Sequence, residues 1–532
     1  MKRIWGFFSA NSYTVKRASA LLAVTALLNN VLGLLRNIIF YRLLPPDQLD
    51  IYYASFRIPD LIFNLLILGA ISSAFIPVLT EHLSKHQEDD ETWRKITDQV
   101  ISWLTVILGL LALVLAVAMP WLMQFVVAGF DSQRMESAIL LSRILLVQSV
   151  FLAWSFCFGG LLNSFNRFST YAFAPLVYNI ILIAGGFVAA SNGITSLAYT
   201  VVLGALGHCL IQYFEVRKLG YRPKLNLEKS KQLKEIVSLM IPRSLSLGAS
   251  QLTTIVYVAL ASGLTAGSIA IFSGMNDLQT TPTVVIANSI AIAFFPTLTK
   301  HLAVQDWKSL NVLILKAVRT ILFLIIPIVL MGIILRAQIV RLYFGIGGAG
   351  WELTGIAIET FVFFLIGIIP ASLVVILSRI FYGLKDTRTP LIYGVISGLA
   401  GIATAVVGVS ILDANVAVLA LATTVVSTLQ CLLLLAKLYQ DERFELSASI
   451  VLKHTITYVV GGLIATGATY SMLHVVDWFY VTTGILGTQY IVGLLIQLTL
   501  AAGVGSLVYY TYNKILESEE LTWLNRSAFK SL

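Results

Sequence analysis

"AFIPVLTEHL" at residues 74–83 returns as "AFFPTLTKHL" at residues 293–302, 219 positions later. A second pair keeps the order and nearly the register: "PLVYNI" at 175–180 and "PLIYGV" at 390–395. Apolar helices resemble one another by chance, so one match alone carries little. Two in sequence imply duplicated halves of six helices each. The halves are separated by an even number of helices, so they share one membrane orientation and are expected to be related by an axis along the membrane normal. The surrounding composition says what kind of helices these are. Of 532 residues, 58% are hydrophobic and only 12% charged, where a water-soluble chain keeps about a quarter charged. Apolar runs recur at roughly the 20 residues needed to cross a hydrocarbon core of about 30 Å, and the ten-residue alternation of a membrane β-barrel is absent from the pattern. An all-α integral membrane protein of about fourteen transmembrane helices is expected, with two six-helix lobes and two C-terminal helices left over.

Polar breaks place the spans at roughly 17–44, 50–79, 98–125, 136–164, 170–190, 194–215, 236–262, 267–298, 310–335, 355–383, 388–410, 415–437, 452–475 and 489–513. Lysine and arginine should gather in the cytoplasmic loops. With the N-terminus inside, those loops hold Lys85, Arg94 and Lys95, then Arg167, then the stretch "EVRKLGYRPKLNLEKSKQLK" at 215–234, then Lys300 and Lys308, Lys385 and Arg388, and Lys437 and Arg443. The opposite loops, "ASNGIT" (190–195), "SGLTAG" (262–267) and "LDANV" (412–416), carry none. Both termini are therefore expected in the cytoplasm. The plan is a cytoplasmic lead-in (1–16), an N-terminal lobe (17–215), a basic cytoplasmic linker on the membrane surface (216–235), a C-terminal lobe (236–438), helices thirteen and fourteen (452–513) and a cytoplasmic tail (514–532). The opening residues start like a signal peptide, but Lys16 and Arg17 interrupt them before any cleavage pattern.

Duplicated bundles of one orientation are transporter architecture, and ionisable residues at bilayer depth mark a transporter's path. Each costs about 2.5–3.5 kcal/mol on the insertion scale unless it meets a partner or water. The set is Arg36, Asp50, Arg57, Asp60, Arg143, Arg243, Asp277, Glu359 and Arg379. Arg36, Asp50, Arg57 and Asp60 crowd the first two spans and are the candidates for a cavity wall that holds an anionic head group, for which the fixed guanidinium fork is suited. A plainer arrangement competes: Arg57 and Asp60 are three residues apart on one helix face and can neutralise each other. Arg143, Arg243 and Arg379 read as structural or snorkelling residues. Pro59, Pro77 and Pro296 are candidates for helix bends, with Pro77 and Pro296 equivalent in the repeat; the alternative is that the last two simply end their helices.

Other chemistries find no pattern. Cys157, Cys209 and Cys431 stand in apolar runs without a second ligand at metal spacing. No nucleophile–base set and no phosphate-cradling glycine loop occurs, so no enzyme, cofactor or metal is expected. The net charge of +9 fits loops facing an anionic leaflet rather than nucleic acid.

"LGLLRNIIFYRLL" followed by "DIYYASFRIPDLIFNLLILGAISSAFIPVL" resembles the opening of the MurJ (MviN) family of lipid II flippases, in the multidrug/oligosaccharidyl-lipid/polysaccharide exporter superfamily. "PWLMQFVVAGF" (120–130), "LLNSFNRFSTYAFAPLVYNI" (161–180) and "SRIFYGLKDTRTP" (378–390) extend the likeness through helix twelve. The resemblance implies alternating-access transport of the undecaprenyl-pyrophosphate-linked peptidoglycan precursor from the inner to the outer leaflet of the bacterial cytoplasmic membrane. It also implies an ion gradient or the membrane potential as energy source, a lipid-tail groove at the last helix pair, and other cell-wall synthesis proteins as partners. Carried over by position, Arg36, Asp50 and Arg57 match the family's charged positions. Asn30, Phe63 and Asp277 stand where three further family arginines are expected, and Leu68 replaces an acidic residue before Gly69. Those departures keep alternatives open: another polyprenyl-linked glycan, a cationic small molecule taken by Asp277 and Asp60, or a transport-inactive scaffold.

Overall fold

A computed structural model of the chain describes residues 15–68, 75–85, 91–345, 350–445, 448–484, 487 and 490–522. Most of the 1–16 lead-in and residues 523–532 of the tail lie outside them, as does Gly69. Within lipid a backbone N–H or C=O has no water to bond, so an apolar chain satisfies itself as helix. Among the described residues every regular element is helical.

The first unit, Met1–Ile269, begins with α1 (Val15–Leu43). A broken segment follows: α2 (Pro46–Ser55), α3 (Arg57–Ile62), a π-helical turn π1 (Phe63–Leu68) and α4 (Ile76–Lys85). Five long helices complete it: α5 (Thr92–Val126), α6 (Ser132–Ser164), α7 (Phe168–Asn192), α8 (Ile194–Arg217) and α9 (Lys231–Ser262). α8 packs on both α6 and α7, and α1 lies along α7. Gly185 lets α7 approach α8 so closely that a Cβ there would run into Thr200. α9 packs on α3, π1, α4 and α5. The compact unit thus ends after α9, whereas the sequence repeat begins its second lobe before it.

The second unit, Ala270–Leu532, opens with a similarly broken segment: α10 (Ser268–Pro282), π2 (Thr283–Asn288) and α11 (Ser289–Ala303). Then come α12 (Trp307–Phe344), α13 (Gly350–Gly383), α14 (Arg388–Ser410), α15 (Ala417–Tyr439), α16 (Ala448–Thr483) and α17 (Ile491–Ile515). α15 packs on α13 and α14, and the last pair packs on α12. Tyr509 donates to the Phe323 carbonyl at 2.8 Å, and Arg319 pairs with Glu520 at 2.5 Å and Glu519 at 3.2 Å.

Among the described residues, twelve helices are long and apolar enough to cross a membrane. The broken segment 46–85 and α9, whose apolar part is Gln251–Ser262, bring the number of expected crossings to fourteen. Cys157, Cys209 and Cys431 are all free and buried.

The basic stretch after α8 is strapped to α5. Asp98 accepts from the Tyr221 hydroxyl at 2.6 Å and the Lys224 amide at 2.9 Å. One turn on, Ser102 accepts from the Asn226 amide at 2.9 Å, and Ser230 donates to Gln99 at 2.6 Å. Burial first, and the Asp98 carboxylate second, push the Tyr221 hydroxyl far above its ordinary range.

Candidate functional site

Proline 59 explains the break in the second segment. It has no N–H to offer the Ser55 carbonyl and its ring crowds that group, so the helix resets at Phe56. The freed carbonyl is not left bare: Ser142 of α6 donates to it at 3.1 Å. The reset places both Arg57 and Asp60 in the first turn of α3, three residues apart. Pro59 itself, in that first turn, sits where helices tolerate proline.

Arg36 is held on α1 by two asparagines. Its Nε and Nη2 donate to Asn37 at 3.0 and 2.8 Å, and its Nη1 donates to Asn179 of α7 at 3.1 Å. Asn179 in turn donates to Asn29 at 2.8 Å. These bonds fix the plane of the guanidinium, which a flexible ammonium would not keep. Tyr178, next to Asn179, lies within electrostatic reach of both Arg36 and Asp60, as does Tyr52 of α2, and Asp60 is within reach of Arg57. The structure therefore brings Arg36, Arg57 and Asp60 into one neighbourhood between α1, α3 and α7, all half-buried. It is a mixed site of two cations and one carboxylate.

Asp50 does something else. It is 2% exposed, and its Oδ2 accepts from Arg134 of α6 at 3.1 Å and from the Gly267 amide at 2.7 Å. Arg134 also lies 4.0 Å over the Phe130 ring. Nearby, the Gly129 amide donates to Ser262 at 3.0 Å, and a Cβ on Gly129 would strike the Gly263 backbone. Asp50 is thus the pin of a closed seam joining α2, the α5–α6 turn and the turn after α9, rather than part of an open wall.

The remaining candidates scatter. Asn30 is half-buried, but its neighbour Asn29 is the residue that joins the Arg36 network. Phe63 opens π1 with its ring edge-on to Phe156 of α6 at 5.5 Å, so the position is filled by an aromatic pair. Asp277 is exposed on α10. Pro77 and Pro296 are exposed, and their helices run on past them to Lys85 and Ala303, so neither proline ends its helix. Arg143 donates to the Ala116 carbonyl at 2.8 Å, a structural role. The side chains of Leu68 and Arg243 lie outside the described residues.

Sequence reasoning missed Arg134, Asn179 and the two π turns. Arg134 stands in the first turn of α6 beside a loop, and Asn179 lies within the repeated "PLVYNI", so neither gives a signal of its own in the sequence. The π turns occupy equivalent places: shifting Phe63–Leu68 by the 219-residue repeat lands one residue before Thr283–Asn288. Single π turns mark functional positions in helices often enough to be informative. No group of three metal-ligating side chains occurs among the described residues.

A family model described as lipid II flippase MurJ matches residues 47–512. The lipid II flippase MurJ of Burkholderia cenocepacia is 27% identical over 384 residues, covering 70% of this chain and 74% of that protein. A probable lipid II flippase MurJ of Bdellovibrio bacteriovorus is 26% identical over 391 residues, covering 72% and 74%. Among solved structures, a lipid II flippase MurJ in an inward closed conformation matches with a TM-score of 0.75 at 22% identity, covering 93% of this chain and 98% of that one. An inward-facing multidrug resistance MATE family transporter matches at 0.64 and 14%, covering 83% and 95%. At such identities the structural likeness speaks for the fold.

Proposed function

The chain belongs to the MurJ family of lipid II flippases, and from that premise we propose that it carries the lipid-linked peptidoglycan precursor from the inner to the outer leaflet by alternating access. It is a multi-pass membrane transporter, not an enzyme. The single observation that carries the site is Arg36: a guanidinium whose orientation is fixed by Asn37 and Asn179 on two helices presents a rigid fork to a diphosphate. Arg57 supplies the second cation. Asp60 offsets part of that charge, which favours release as well as capture. With Asn30, Phe63 and Asp277 in place of further arginines, the head group is held by fewer charges than the family pattern provides.

The supporting argument for orientation is the loop chemistry. Lys85, Arg94 and Lys95 flank the loop after α4, whereas the loops after α7 and α14 carry no lysine or arginine, a contrast that supports both termini in the cytoplasm of a bacterium and the protein in its inner membrane. Transport is driven by the membrane potential or an ion gradient; each charge moved gains about 2.3 kcal/mol per 100 mV. Other cell-wall synthesis proteins would consume the delivered precursor.

The test is complementation. A host depleted of its own flippase and supplied with this protein should regain precursor on the outer leaflet. Arg36→Ala should abolish that recovery and Arg36→Lys should restore only part of it. Full recovery with both Arg36→Ala and Arg57→Ala would remove these residues from the site. A second reading, another polyprenyl-linked glycan as cargo, is favoured by the Phe63–Phe156 pair, which fills a position where the family pattern has a cation. It predicts no recovery of exposed lipid II even with well-inserted wild-type protein.

A further inference from the structure

In the second unit, α12 and α13 leave an open cavity of about 520 Å³. Its walls are Ile333, Val362 and Phe363, with Gly355 at its side and two charged residues, Arg336 and Glu359, facing into it. Arg336 Nη1 donates to the Ile333 carbonyl of its own helix at 2.6 Å; its Nε and Nη2 have no acceptor among the described residues. Glu359 Oε2 accepts from Asn415 at 2.9 Å, and Oε1 has no donor among them. The two side chains do not reach each other as an ion pair, although they share one cavity. Opposite charges left apart in this way suit a ligand that carries both signs a few ångströms apart.

Depth narrows the ligand. α12 has 38 residues, about 57 Å at 1.5 Å per residue, so it overhangs a hydrocarbon core of about 30 Å by about 13 Å at each end if centred. Arg336 is eight residues from the end of α12 and Glu359 nine from the start of α13, which sets both about 12–14 Å inside the helix ends, at the head-group boundary. Lipid is the solvent there. A phosphate alone would leave Glu359 unanswered, and a quaternary ammonium has no N–H to donate to it.

We propose that this cavity binds a phospholipid head group of the phosphoethanolamine type, with its phosphate on Arg336 and its primary ammonium on Glu359, while an acyl chain lies along Ile333, Val362 and Phe363. The site is separate from the Arg36 cluster and does not rest on the flippase reading.

The experiment is native mass spectrometry of the detergent-purified full chain titrated with phosphatidylethanolamine, phosphatidylcholine, phosphatidylglycerol and undecaprenyl phosphate. Phosphatidylethanolamine should be retained at about tenfold lower concentration than the other two phospholipids, and Arg336→Gln or Glu359→Gln should each remove that preference. Gly355→Leu fills open space, since a Cβ there meets nothing within 4 Å, so it tests the cavity without touching either charge; it should also lower retention. Equal retention of the three phospholipids, wild-type retention by both charge variants and by Gly355→Leu, or stronger retention of undecaprenyl phosphate would overturn the proposal.

Discussion

At the residue scale, Asp50 shows how a charge can be held inside apolar packing. Its carboxylate is buried with Arg134 and the Gly267 amide, and removing one partner of a buried pair strands the other, a cost of about 3–5 kcal/mol where the site is fully closed. Asp50→Asn is therefore expected to lower the thermal unfolding midpoint by several degrees, and Asp50→Asn with Arg134→Gln should recover part of the loss. A double variant less stable than the single one would show that the pair is not what holds the seam. The sequence made Arg36, Arg57 and Asp60 legible because charge is conspicuous in an apolar run. It hid Asn179, because an uncharged amide costs little at that depth and gives no such signal. Arg134 was hidden for the opposite reason: a cation beside a loop looks ordinary until its partner is seen.

At the element scale, the prolines and the π turns contrast. Pro59 is legible, and the physics of its missing N–H predicts both the reset at Phe56 and the need for a donor to Ser55. A π turn leaves no mark in composition, since it is one extra residue in an unchanged apolar run. Its effect is local: excising Val285 from π2 should close the wide turn into regular α-helix, removing the local bulge while leaving α11 near its facing. Such a variant should insert in the membrane yet lose precursor exposure in the complementation assay, and unimpaired exposure would make the turn dispensable. The strap after α8 gives a second prediction. Tyr221 keeps its proton to higher pH than an ordinary phenol of about 10. Its contribution to docking is thus complete below about pH 10 and fades only as pH climbs beyond that toward its raised value. Subtracting the ultraviolet tyrosinate titration of Tyr221→Phe from that of wild type should leave no signal near pH 10, and trypsin should cut after Lys224 faster in the variant at neutral pH.

At the scale of the whole molecule, the repeat predicted the helix inventory better than the unit boundary. Duplication places the second half at 236, whereas packing assigns α9 to the first unit because it lies on α3, π1, α4 and α5. Ancestry is written in sequence, and contact is not. Orientation follows from charge and can be measured: alkaline phosphatase fused after Asn192 should be active and after Lys224 inactive, and the reverse pattern would invert the topology. The three native thiols add something practical. Cys157, Cys209 and Cys431 are shut inside helix packing at 0%, 3% and 5% exposure. The natural chain is thereby expected to stay unlabelled by maleimide dyes, so one cysteine engineered at an exposed place should be the only one coloured, and its movements could be followed without first rebuilding the protein.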